Sequence, residues 1–471
     1  MKEGQTNLSE PFLGSRPGTT GISTISALLC AVVFWVAQFF APGPTAATEI
    51  FVARATDNDS GGSANGDLGS PYASLAEALA AAAKGDTISL REGTYAGGVA
   101  INTPDLTLQS HRGERAVVSS PTNDSGIPNT IWVNATGTTI RNLEIQGGYL
   151  YALKFERGDA LVSHSRIHGS GRDAVKIVPH ADNITIEDCE IYASGLRDPS
   201  NAEGIDNVNG DNMVVRRTQI HDTATSCAYA KGGAIGAVFE RLLLMNCGHA
   251  GIILGQSSDT EFLDPNQNPT YKESIDGVVR NCIIVNTNGA GVSMQAALRP
   301  TVVNNTLVNV AESTNAGIYF ASTAHLGENR ATEDATVVNN IVVQTAVSSR
   351  PMVFITASGL TGTLTMDNNR YHKVAGNPVF WDQRVPAFNW SLPQWNGALG
   401  VDGSSSVGDP QLDASFHLSE AGPCVGAGQA IEFVSDDYDG DPRTAPYDIG
   451  ADQHPAGPPS FVPPSPPVLL D

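Results

Sequence analysis

The chain has 471 residues, enough for two or three ordinary domains or for one elongated repeat domain. Aromatic residues make up only 7 % of it while glycines number 48, which favours short strands and tight turns over a helical bundle. With 27 Lys+Arg against 49 Asp+Glu the formal net charge is -22, which excludes the basic surface that a nucleic-acid partner requires.

In chain order, Lys2 and Arg16 precede an uncharged apolar run from Ile22 to Ala41, followed by "PGPTAAT" with small residues at Thr45 and Ala47. Residues 1–48 read as an export signal, or as a retained membrane anchor, since the run is close to the roughly 20 residues that span a bilayer. Next, "SLAEALAAAAKGDTISL" offers Ser74 as a helix N-cap, Glu77 three residues later and Gly85 as a stop, so a short capping helix is expected before the first strand.

From residue 140 to 343 one pattern recurs: "TIRNLEI", "LVSHSRI", "TIEDCEI", "VVRRTQI", "VFERLLL", "VVRNCII", "VVNNTLV", "VVNNIVV". Aligned on their last aliphatic, the units place Ile145, Ile167, Ile191, Ile220, Leu244, Ile284, Val308 and Val343 in one column, with a basic period of 22 to 24 residues stretched by insertions. Apolar and polar residues alternate within each unit, which is strand periodicity. Strands this short bury no core alone and must stack. Leucine-rich repeats share the period, but their leucine signature is missing. The expected fold is therefore all-β, a right-handed parallel β-helix over residues 49–454 with an N-terminal capping helix. The repeat breaks near residue 378, where irregular loops are expected to cover the far end.

Each coil carries a second strand, seen in "DAVKIV", "EGIDNV", "AYAKGG", "AGIILG", "AGVSMQ" and "AGIYFA". Taking the aliphatic before it as inward, the outward column reads Lys154, Lys176, Asp206, Lys231, Ile253, Ser293 and Tyr319. Asp206 and Lys231 then fall on successive coils, and Asp173 and Glu203 stack three residues upstream of Lys176 and Asp206. One exposed face is expected to carry all five charged groups.

Three carboxylates with neighbouring oxygens suit a hard cation, calcium above all, because that ion accepts irregular oxygen shells. A lysine beside a bound divalent cation is driven toward its neutral, basic form. Together they suit β-elimination on a uronic-acid polymer. The cation neutralises the sugar carboxylate and acidifies the proton at C5, which the lysine removes. "RDAVKI", "AEGIDNV" and "CAYAKGG" resemble successive coil segments of polysaccharide lyase family nine, the β-helical pectate lyases. The resemblance implies a secreted lyase in which Asp173, Glu203 and Asp206 bind Ca2+ and Lys231 is the catalytic base. Where that family has an acidic pair before the glycine, this chain has Ala202 and Glu203.

Lys176, His221 and His249 are the expected substrate-binding residues, and the expected partner is an acidic polysaccharide met by a monomer. Two other classes share the scaffold: a glycoside hydrolase using the same carboxylates, and a non-catalytic carbohydrate-binding solenoid. Outside the first segment the cysteines are Cys189, Cys227, Cys247, Cys282 and Cys424, an odd number without metal-site spacing. Cys189 and Cys282 fall three coils apart and are expected in the core. The asparagines of "VVNNTLV" and "VVNNIVV" are expected to form stacked ladders, and "SDDYDGDP" a terminal turn. Residues 455–471 are proline-rich and cannot join a sheet.

Overall fold

The computed structural model describes residues 47–54, 64–386 and 389–454. The apolar run Ile22–Ala41 and the proline-rich tail lie outside these. Among the described residues no helix is long and apolar enough to cross a membrane.

The expected right-handed parallel β-helix is present. Successive coils contribute to three long sheets, which begin with strands Glu49–Val52 (sheet I), Val99–Ile101 (sheet II) and Gly93–Ala96 (sheet III). One coil runs through Tyr151–Phe155 of sheet II, Ala160–Ser163 of sheet I and Arg166–His168 of sheet III, and the next re-enters sheet II at Val175–Ile177. Each strand pairs in parallel with its counterpart one coil later, so like residues stack about 4.8 Å apart. Ile145, Ile167, Ile191, Ile220, Leu244 and Ile284 form one such column, and all are fully buried.

The structure refines the repeat in two ways. Each unit that reads as one strand is two strands joined by a bend: in "TIEDCEI", Ile184–Glu187 of sheet I and Glu190–Tyr192 of sheet III meet at Asp188, whose φ is 53°. Asn142, Arg217, Asn281, Asn304 and Asn339 adopt the same left-handed conformation at the equivalent bend, and Asn and Asp tolerate it best among residues with a side chain. Second, Val308 and Val343 do not continue the isoleucine column. Leu307 and Val342 do, since Ile284 pairs with Leu307 and Leu307 with Val342. Alternation misleads here because both faces are apolar. Val308 and Val343 point outward and are buried under Leu418, Cys424, Tyr438, Ile449 and Ala451 from the C-terminal segment.

The inward residue after each bend forms the expected ladder. The Asn305 side chain accepts from the Cys282 N–H at 2.9 Å, that of Asn340 from the Asn305 N–H at 3.1 Å, and that of Asn369 from the Asn340 N–H at 2.9 Å. Asn340 Nδ2 also donates to the carbonyls of Val302 and Val338. Cys189 and Cys282 occupy this same column as free, buried thiols. Cys227 and Cys247 are joined by a disulfide, and Cys424 is free and buried.

Helix α1 (Leu75–Ala81) has the expected capping box between Ser74 and Glu77, and its Leu75 and Ala78 enter the core of the first coils. The far end differs from the expected loops. A second helix, α2 (Leu392–Leu399), starts at Ser391 with a capping box to Gln394, stops at Gly400, and places Trp395 wholly inside the core. "SLPQWNGALG" contains that start and stop, but a single turn-rich repeat break hides so short a helix.

Asn340→Ala removes one acceptor oxygen and the two N–H donors of one amide nitrogen inside the ladder and strands buried backbone groups. It is expected to lower stability by about 3 kcal/mol, with the urea midpoint shifted and the slope unchanged. In Asn309→Ala, which ends the solvent-exposed ladder through Asn286, the loss should stay within about 0.5 kcal/mol.

Candidate active site

The site lies on sheet II, where three consecutive coils supply Val175–Ile177, Ile205–Val208 and Ala228–Lys231. Asp173 stands in the turn before the first strand, and Glu203 in the equivalent turn before the second, where its N–H donates to Asp173 Oδ1 at 3.2 Å. Gly204 is needed between Glu203 and the strand. A Cβ there would meet the Cys227 carbonyl oxygen at 2.4 Å and Ile220 Cγ2 at 2.6 Å. One oxygen from each of Asp173, Glu203 and Asp206 lies within 4.8 Å of the others.

This cluster is not on an exposed face, as the alternation implied. Asp173, Glu203 and Asp206 keep only 1 %, 5 % and 2 % of their surface. Asp173 Oδ2, Glu203 Oε2 and Asp206 Oδ1 are buried without any hydrogen-bond partner, an expensive arrangement for three carboxylates. Their other oxygens are used. Glu203 Oε1 accepts from the Thr225 hydroxyl at 2.7 Å, and Asp206 Oδ2 is held by the Lys176 ammonium. Burial, then repulsion from Asp206 and Glu203, drives the Asp173 carboxyl well above its usual range, and burial and Asp206 raise that of Glu203. Burial alone pulls Lys176 down, but Asp206 and Asp173 outweigh it, and its ammonium is more firmly protonated than usual.

The residues fit a calcium ion. The donors are all oxygens, one on each carboxylate is unsatisfied, and Lys176 occupies only Oδ2 of Asp206.

The expected register fails at one coil. Lys176 pairs with Asp206 as expected, but Asp206 pairs with Tyr229, and Lys231 pairs with Val208, one outward position further along the strand. The reason is local: in "AYAKGG" both inward positions are alanines, Ala228 and Ala230, so no large aliphatic marks the register. Lys231 still reaches the site, for Lys176, Asp206, Tyr229 and Lys231 line one pocket of about 310 Å³, to which Ser258 and Phe262 also contribute. Its ammonium sits 4.7 Å from the centre of the Tyr229 ring and, among the described residues, has no carboxylate within ion-pair distance. Tyr229 is buried; that burial and the carboxylates Asp206, Glu203 and Asp173 hold its phenol well above its ordinary value, so it stays protonated.

The two histidines are elsewhere. His221 lies on sheet III, stacked on Tyr192 at 5.0 Å and paired with Asp222 and Glu190, while His249 sits in a turn between Ser226 and Asn315 and lines no part of the pocket. Sequence reasoning missed Tyr229 and Thr225, whereas the insertion "SSDTEFLDPNQNPTYKESID" is legible as a loop and lends Ser257, Ser258, Asp259 and Phe262 to the pocket. That insertion is anchored by the buried Glu273, which accepts from the N–H groups of Gly232 and Ser258 and pairs with His325 at 2.6 Å. The sequence signal for it is the length of the interval between "VFERLLL" and "VVRNCII".

Fold and site together define a parallel β-helix with a carboxylate-lined pocket on one sheet. The family model described as "Right handed beta helix region" matches residues 129–340 and 236–385, together more than half of the chain, and the chain belongs to that family. No curated protein matches it. Among solved structures it is similar to a pectate lyase, Pel9A, with 16 % identity, a TM-score of 0.52 and coverage of 86 % of this chain and 96 % of the other. It is also similar to XylC, solved in complex with xylose, with 10 % identity, a TM-score of 0.52 and coverage of 86 % and 98 %. At these identities the likeness concerns the fold.

The shifted carboxyls predict an inverted pH response in chelated protein. Asp173 and Glu203 favour the folded state only while protonated, so that contribution is complete below their ordinary values of 3.8 and 4.5 and is lost as pH rises above them. Asp173→Asn should therefore gain stability relative to the native chain as pH rises, read from urea midpoints across a pH series in chelator. Added calcium should reverse that ranking.

Proposed function

We propose that this chain is an exported, calcium-dependent polysaccharide lyase that cleaves a uronic-acid polymer by β-elimination, with Lys231 as the base. The observation that carries this reading is a buried cluster of three carboxylates with unsatisfied oxygens, one of which, Asp206, lines the same pocket as a lysine that has no carboxylate within ion-pair distance among the described residues. Asp173, Glu203 and Asp206 would hold the cation, which when bound neutralises the sugar carboxylate and acidifies the neighbouring C–H. A chain of net charge -22 needs such a positive centre to receive a polyanion.

The remaining chemistry belongs to the side chains. Lys231 takes the C5 proton, the electron pair forms the C4–C5 double bond, and the C4–O4 bond breaks. Tyr229, protonated and lining the same pocket, is the donor available to the departing oxygen. Lys176 is unsuited to be the base because Asp206 holds its proton. Its charge instead offers a contact for a substrate carboxylate.

Incubation with a panel of acidic polysaccharides, with and without calcium, tests the proposal. The expected product carries the ultraviolet absorbance of an unsaturated uronate. Hydrolysis without that chromophore, or full activity in excess chelator, overturns the reading.

Replacing the base should remove the chemical step and spare binding. Lys231→Ala is expected to lower kcat by roughly 10²- to 10⁴-fold with KM little changed, and Lys231→Arg to fail almost as badly, because a guanidinium keeps its proton. Lys176→Ala should act mainly on KM. Should Lys176→Ala abolish turnover while Lys231→Ala retains it, the base is Lys176.

A further inference from the structure

A second cluster of metal-ligating side chains lies far from the pocket, in the C-terminal segment that covers sheet III. His417, Asp439 and Asp452 each bring one donor atom within 4.8 Å of the others. They come from three separate turns of that segment. His417 precedes Leu418, whose isolated bridge to Leu412 closes a small loop, Asp439 lies in "DYDGD", and Asp452 follows the buried Ile449 and Ala451.

Two features set this cluster apart from a solvated acidic turn. Asp452 is 1 % exposed and Asp439 2 % exposed, so neither charge is relieved by water. Asp452 also spends only one oxygen: Oδ2 accepts from the Leu418 N–H at 2.8 Å, while Oδ1 is buried without a partner. The third member, His417, directs Nε2 to Asp439 Oδ2 at 2.9 Å, and its ring stands edge-on to Tyr438 with centroids 5.9 Å apart.

We infer that His417, Asp439 and Asp452 form a structural site for a zinc-type divalent cation that staples the C-terminal segment against the β-helix. One imidazole nitrogen and two carboxylates suit a first-row transition ion better than calcium, whose shells are made of oxygens. Binding displaces the His417 proton, joins the three turns through one centre, and uses the stranded oxygen of Asp452. Nothing in this site depends on the activity proposed for the pocket. The rival is a plain ion triad, with a protonated His417 held by Asp439; that pairing pushes the imidazole up to about 9.

The full chain, stripped with chelator and dialysed, is titrated with zinc by calorimetry, with metal content and thermal midpoint read in parallel. The native chain should take up stoichiometric zinc and unfold at a higher temperature with it. Asp206→Asn, which alters only the pocket, should keep both responses, so a failure of the pocket reading leaves them untouched. His417→Gln should weaken zinc binding by at least the roughly tenfold that even an outer-shell partner's loss costs. Asp452→Asn, of the same volume and still able to accept from Leu418, should do the same and so covers the case in which His417→Gln fails to fold. The inference is overturned if zinc leaves the native thermal midpoint unchanged, or if both variants bind zinc as the native chain does.

Discussion

Hydrogen bonds from each coil to the next carry everything else in this molecule. They place residues 20 to 40 positions apart in sequence on adjacent rungs, and they do so whatever the side chains are. Asp173 and Glu203 stack because their turns stack, and Asp206 faces the same cluster because its strand begins two residues after Glu203. The same constraint explains the bend at Asn142, Asp188 and Asn339. A coil of three strands must turn at fixed places, and the residues there accept a left-handed backbone at little cost.

A scaffold this regular can bury charge that a smaller fold would expel. The carboxylates of the pocket are held by groups that do not neutralise them fully: one backbone N–H, one threonine hydroxyl and one lysine. Burial raises Asp173 and Glu203, so without a counter-ion the site relaxes by taking protons. Stability and chemistry are therefore opposed at this point, and the cation of the proposed function would satisfy both. Lys176 and Lys231 divide the remaining positive charge. The first is fixed in an ion pair, and the second lies against an aromatic face in the open pocket.

The segments that interrupt or follow the repeat finish what the coils begin. The insertion anchored by Glu273 turns an open sheet face into a pocket, and the C-terminal segment covers the outward valines of sheet III. Arg443, buried in that segment, donates to Asn281 Oδ1 and to the carbonyls of Gly450 and Ala451, which ties the covering layer to the bend asparagines beneath. Helix α2 closes the last coil with Trp395, whose indole N–H reaches the buried Asp402 at 3.0 Å.

What the sequence determined by itself is whatever recurs. Its 22 to 24 residue period and alternating strands led to the parallel β-helix, the Ser74–Glu77 capping box to α1, and the doubled asparagines to the inner ladder, because each of these rests on neighbours in the chain. The carboxylates of Asp173, Glu203 and Asp206 were legible for the same reason, since a clear aliphatic marks the register of their coils. Tertiary structure alone decided the rest. It moved Lys231 off the Asp206 rung, because Ala228 and Ala230 give no apolar cue, and it moved the isoleucine column to Leu307 and Val342, because strands covered on both faces lose alternation. It also set His221 on another sheet and buried the charged cluster, since which face is covered depends on segments far away in the chain, and no periodicity encodes that.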